Sequence, residues 1–174
     1  MKAVIFCSAC KDIDPKYNEA AREIVRGLSS LGIEIVSGGT VKGTMGVIAD
    51  ECRRLGVPHT GIIPRFMAPV SYPDLDSVIW TDTMSERKGL MREGADVAIA
   101  LPGGIGTLDE LIETLVLAKL DLFHGRVMAL DIDGFYSPLI ALLDHYVATG
   151  MLEEASRSLI TFPPTVSDLI KSLR

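Results

Sequence analysis

Apolar positions follow two rhythms along this chain. Short unbroken apolar runs alternate with longer stretches in which apolar residues recur every third or fourth position. The runs over 2–7 (KAVIFC), 33–36, 57–63, 78–81, 96–101, 127–131 and 159–162 predict strands. Asp14-Pro15 supplies an N-cap and an N1 proline, and Tyr17, Ala20, Ala21, Ile24, Val25 and Leu28 then keep helical spacing until Gly32. Further helices are predicted through 51–55, from 84 to about 93, 107 to 121, 136 to 149 and 165 to 173. Several strands are apolar at consecutive positions, which belongs to a parallel sheet covered on both faces. The fold expected is therefore α/β, a doubly wound Rossmann-like parallel sheet with helices on both faces. The segment 64–77, with three prolines, is expected to be irregular and to border a site.

Composition narrows the classes without changing that picture. With 174 residues, 48% apolar and 23% charged, the chain fits one packed domain, taken here as 1–174. Charges, Pro or Gly interrupt every apolar run before the roughly 18 residues a membrane helix needs. The first ten residues turn polar too early for a signal peptide, so no membrane role and a cytoplasmic location are expected. A net charge of −6 opposes general nucleic-acid binding, so any anion must be held locally. Cys7, Cys10 and Cys52 are sparse and odd in number, which suits a reducing compartment. Cys7 and Cys10 have CxxC spacing, but Cys7 ends an apolar strand and reads as a small buried hydrophobe.

Two glycine-rich turns follow strands and precede helices. They are Gly38-Gly39-Thr40 with Gly43 and Gly46, and Gly103-Gly104-Ile105-Gly106-Thr107. Glycine lets backbone N–H groups close on an anion, and the next helix adds a favourable dipole, so a phosphate is the expected guest. Neither turn is a GxGxxG fingerprint or a GK[ST] P-loop. His59, His124 and His145 are scattered, so no metal site is expected. Beside the turns lie the charges of Ser85-Glu86-Arg87-Lys88 and of Glu110. Thr107-x-x-Glu110 is also the spacing of a capping box with Thr107 as N-cap, so spacing leaves cap and catalysis both open for Glu110.

Thr83-Met-Ser-Glu-Arg-Lys88 and Leu101-Pro-Gly-Gly-Ile-Gly-Thr-Leu-Asp-Glu110 together resemble the LOG ("Lonely guy") family, whose signature is PGGxGTxxE preceded by ERK. The likeness spans most of the chain and includes SGGTVKGTMG and GIIPR. The family acts as cytokinin riboside 5′-monophosphate phosphoribohydrolase, and its members have often been labelled lysine decarboxylases. The resemblance implies hydrolysis of the N-glycosidic bond of a nucleoside 5′-monophosphate, with no cofactor. It implies Arg87 and Glu110 as the catalytic pair, and Gly39, Met84, Glu86, Lys88, Gly103, Gly104, Gly106 and Thr107 as substrate-binding residues. It also implies a homodimer with both subunits near the site. Arg87 and the helix N-terminus are expected to favour the charged form of Glu110. Ser85 stands where the family has His, and Pro69-Val-Ser71 where plant-type members have Pro-Ile-Glu. AMP, another purine monophosphate and a cytokinin nucleotide therefore all remain open as substrate. Two other readings use the same loops: a non-catalytic nucleotide or molybdenum-cofactor carrier, and a pyridoxal-phosphate decarboxylase with Lys88 as its lysine.

Overall fold

The computed structural model describes residues 1–174. Seven strands join one sheet: β1 (Lys2–Phe6), β2 (Glu34–Ser37), β3 (His59–Pro64), β4 (Ser77–Thr81), β5 (Val97–Ala100), β6 (Arg126–Ala129) and β7 (Ile160–Thr161). Every pairing is parallel, in the order β4-β3-β2-β1-β5-β6-β7. Between them run α1 (Pro15–Ser30), α2 (Gly43–Leu55), α3 (Met84–Arg92), α4 (Ile105–Lys119), α5 (Ser137–Ala148), α6 (Glu154–Arg157) and α7 (Val166–Ser172). No helix is long and apolar enough to cross a membrane.

The unbroken apolar runs follow from burial on both sides. Ala3, Ile5, Ile35, Val97 and Ile99 face one core with α1, α2 and α7 residues such as Ile24, Ile48 and Leu169. Val4, Phe6, Val36, Ala98 and Ala100 face the other, with Met91, Leu111, Leu115 and Leu143. Alternate residues of one strand thus feed opposite layers, and neither layer tolerates a polar partner. The predicted start of α1 holds, with the Asp14 carboxylate accepting the Lys16 N–H at 3.0 Å and Pro15 in the first turn.

Winding reverses between β1 and β5, which pair with Phe6 opposite Ala100. The loops after both strands diverge there and open a crevice at the carboxyl edge. The segment 64–77 differs from expectation. Arg65–Val70 coils into a short 3-10 turn containing Pro69. The Val41 N–H then donates to the Val70 carbonyl, and the Tyr72 N–H to the Gly39 carbonyl, both at 2.9 Å. These bonds strap the segment onto the first glycine turn, which is what the prolines, lacking N–H donors, leave possible. The four-residue α6 has no periodicity to announce it, and β7 holds only two residues of the predicted four.

Candidate active site

The crevice holds a cavity of about 320 Å³, at the lower end of ligand pockets. Its walls come from four places in the chain. Ser8, Ala9 and Cys10 follow β1, Gly38 follows β2, Arg87 projects from α3, and residues 104–110 open α4. Met45, Met67, Met84 and Met91 complete an apolar, sulfur-rich lining. A larger groove of about 810 Å³ lies at the opposite edge, by the starts of β5 and β6, away from both glycine turns.

Arg87 and Glu110 meet at this cavity, with Arg87 Nη1 donating to Glu110 Oε1 at 2.8 Å. Both are buried, at 6% and 7% exposure. Arg87 Nε donates to the Ile62 carbonyl at 3.1 Å, and its Nη2 presses on Gly38, where any side chain would collide with it. Arg87 is thereby held on two sides, by the β3 backbone and by the glycine turn. Burial pushes the Glu110 carboxyl above its usual range, and the Arg87 guanidinium offsets part of that rise. This reverses the expectation that the surroundings favour the charged form, because loss of solvent outweighs one guanidinium and a helix terminus.

The capping-box reading of Glu110 is corrected. Helix α4 starts at Ile105 with Gly104 as N-cap and no side-chain cap, so Thr107 already lies inside the first turn. The N–H groups of Ile105, Gly106 and Thr107 have no helical carbonyl to reach. Thr107 Oγ1 is buried without a partner. An unsatisfied helix start beside a guanidinium is suited to hold an anion.

Of the residues named from sequence, the structure brings Met84, Arg87, Gly104, Gly106, Thr107 and Glu110 to the cavity. It places four elsewhere. Gly39 packs on Gly61 at positive φ, and its N–H donates to Ser37 Oγ. Gly103 sits behind Thr107, where a Cβ would collide with the threonine side chain. Glu86 accepts the Asp82 N–H at 2.8 Å, beside the Thr83 cap of α3. Lys88 pairs with Asp109 at 2.9 Å and Glu113 at 2.6 Å. The cavity also takes in Asp109, Met45, Met67 and Met91, which the sequence does not mark as site residues, and Gly38 and Cys10, which it marks only as part of a glycine turn and of a CxxC spacing. Gly38 belongs to the first glycine turn, and Cys10 to the turn after β1, where a doubly wound sheet opens. Met45, Met67 and Met91 carry no signal of their own in the sequence, since a methionine in an apolar pattern reads as core. Cys7 and Cys10 are both free; Cys7 is buried and burial pushes its thiol up, which fits a small buried hydrophobe and not a reactive thiolate.

Residues 45–173 match a family model described as "Possible lysine decarboxylase". The chain is 35% identical over 171 residues to the cytokinin riboside 5′-monophosphate phosphoribohydrolase LOG of Oryza sativa subsp. japonica, covering 97% of this chain and 71% of that one. It is 33% identical over 171 residues to the Arabidopsis thaliana enzyme LOG2, covering 97% and 80%. Among solved structures, the molybdenum cofactor carrier protein of Chlamydomonas reinhardtii superposes with a TM-score of 0.74 at 18% identity, over 99% of this chain and 94% of that chain. That likeness concerns the fold. A decarboxylase using pyridoxal phosphate needs a neutral lysine at its cofactor; no lysine lines this cavity, and Lys88 is held charged by two carboxylates, so the residues do not fit that group.

Proposed function

The chain belongs to the LOG family, and on that premise we propose that it hydrolyses the N-glycosidic bond of a purine or cytokinin nucleoside 5′-monophosphate, giving free base and ribose 5-phosphate. The observation that carries this reading is the buried Arg87–Glu110 pair beside the uncapped start of α4. In the proposed pose the 5′-phosphate accepts from the N–H groups of Ile105, Gly106 and Thr107. That anchor holds the ribose over Glu110. Breaking the bond from C1′ to the base nitrogen leaves positive charge on the sugar, which an adjacent carboxylate stabilises. A carboxylate raised by burial is also the better base. Glu110 accepts a proton from the water that adds to C1′, and Arg87 orients the carboxylate for that step. The base departs with the electron pair of the broken bond and takes up a proton.

The test is ribose 5-phosphate release from AMP, GMP, CMP, UMP and N6-isopentenyl-AMP, wild type beside Glu110→Gln. Release by wild type and loss in the variant are expected. If nothing is cleaved while a monophosphate still raises the melting temperature, the protein binds nucleotides without cleaving them. For assembly, α4 with the Leu120 that follows it exposes Ile105, Leu108, Val116 and Leu120, and α5 exposes Leu142 and Tyr146, with Ile105 at 87%. This supports a homodimer whose second copy covers the stripe that begins at the cavity mouth.

A further inference from the structure

The helices that carry Arg87 and Glu110 meet through an apolar layer and a charged one. In the layer against the sheet, Met91 of α3 shares a core with Leu111 and Leu115 of α4. Farther out they part around the groove of about 810 Å³, whose lining includes Gly89 and Leu90 of α3 and Leu117 of α4. Above Leu90 and Leu117, which pack on that same core, the contact between the helices is made by charge. Lys88 Nζ pairs with Asp109 at 2.9 Å and with Glu113 at 2.6 Å, and Arg92 Nη2 pairs with the same Glu113 at 3.0 Å. Arg92 is 8% exposed, its Nη1 has no partner, and Glu113 is the carboxylate that compensates it.

We propose that Lys88, Arg92 and Glu113 form an ion ladder that sets the register of α3 against α4 and so positions Arg87 on Glu110. These three are positioning residues for the reaction proposed above, and the inference rests on that reading for its catalytic consequence. Lys88 and Arg92 flank Arg87 on α3 by one and five positions, while Asp109 and Glu113 flank Glu110 on α4 by one and three. A slide of one helix along the other therefore breaks the ladder and the buried pair together. The ladder is partly shielded from solvent, with the Lys88 and Arg92 side chains 15% and 7% exposed and Glu113 34%. Neither Lys88, Arg92 nor Glu113 lines the cavity, so none of them reaches the substrate in this arrangement.

The experiment uses Glu113→Gln, which discharges both rungs at nearly constant size, and reads two quantities. The first is steady-state ribose 5-phosphate release. A lost position lowers kcat about ten- to hundredfold, the scale of a misplacement near 1 Å, with KM within a factor of two. The second is the titration of Glu110 in the ligand-free protein, followed by carbon-13 NMR of its carboxyl. The groups acting on that carboxyl are Arg87, Lys88 and Asp109. A loosened Arg87 contact moves the midpoint upward. If Glu113→Gln does not fold, Arg92→Met removes the other rung and leaves Lys88 paired, with the same two shifts expected in smaller measure. Unchanged kcat together with an unchanged midpoint overturns the ladder, as does a raised KM at unchanged kcat, which marks a substrate contact instead. If wild type releases no ribose 5-phosphate, the activity reading fails, and the Glu110 midpoint alone decides the ladder.

Discussion

At the scale of single residues, the consequence with the largest magnitude belongs to Glu110. As a helix cap its loss would cost about 1 kcal/mol. As half of a buried ion pair its replacement leaves the Arg87 guanidinium uncompensated, a loss of about 3 kcal/mol even with a glutamine hydrogen bond in place. Chemical unfolding of Glu110→Gln separates the two, and a cost near 1 kcal/mol would contradict the pairing. His59 supplies a second test, and its sign can be worked through. The ring is buried, its Nε2 lies 2.7 Å from Ser37 Oγ, and burial lowers its pKa to about 4 from 6.5. The fold therefore favours the neutral ring. That contribution is complete above pH 6.5 and is lost as pH falls towards 4. Between pH 7 and pH 4.5 the expected loss is about 2–3 kcal/mol. The difference between wild type and His59→Asn isolates it from the carboxylates, and a pH-independent difference would overturn it. Neither residue's role was legible from spacing. Thr107-x-x-Glu110 satisfies a cap pattern, and only the observed helix start, two residues before Thr107, turns Glu110 inward to Arg87.

At the scale of elements, sequence spoke clearly wherever burial repeats. The strands β1 and β5 are buried on both faces and so read as unbroken apolar runs, and Asp14-Pro15 marked α1 because a cap is local chemistry. It spoke poorly where long-range contacts decide, as in the proline segment that is strapped to Gly39 and Val41, or in α6. The turn before α4 shows the same division. Gly103 and Gly106 are equivalent letters in a motif, but a Cβ at Gly103 meets the Thr107 side chain while a Cβ at Gly106 meets nothing within 4 Å. Gly103→Ala must therefore displace Thr107 and costs stability, about 1–3 kcal/mol for an overpacked site. Gly106→Ala sits in a helical first turn and should be neutral or gain about 0.5–1 kcal/mol. Its methyl instead obstructs an anion at the helix start, so weaker AMP binding with an undiminished melting temperature is expected. Calorimetric titration with AMP and thermal melts of both variants check the pair, and a destabilised Gly106→Ala would place that glycine in packing.

At the scale of the whole molecule, apolar side chains on two neighbouring helices face solvent, while the net charge is −6. The exposed residues Leu108 and Val116 lie on α4, Leu120 directly after it, and Leu142 and Tyr146 on α5. Between the two helices runs a shallow cleft of about 290 Å³ lined by Ile112, Leu115 and Leu139. A stripe of this kind on one chain is self-complementary under a two-fold axis, the commonest symmetry of homo-oligomers. Repulsion between two acidic copies is screened by salt, whereas apolar contact is not, so raising ionic strength should strengthen association. Sedimentation equilibrium is expected to give twice the 18.8 kDa chain mass, with the dimer favoured at higher salt. Val116→Asp with Leu142→Asp places two charges where the folded monomer already meets water, at 47% and 46% exposure, so the fold should persist while the dimer dissociates. Because the stripe begins at Ile105, in the first turn of α4, the separated chains should also bind AMP more weakly. A wild type of single-chain mass at every concentration would remove the dimer. A double variant that stays dimeric would move the interface to another face, and with it the wall of the cavity that the second copy is proposed to supply.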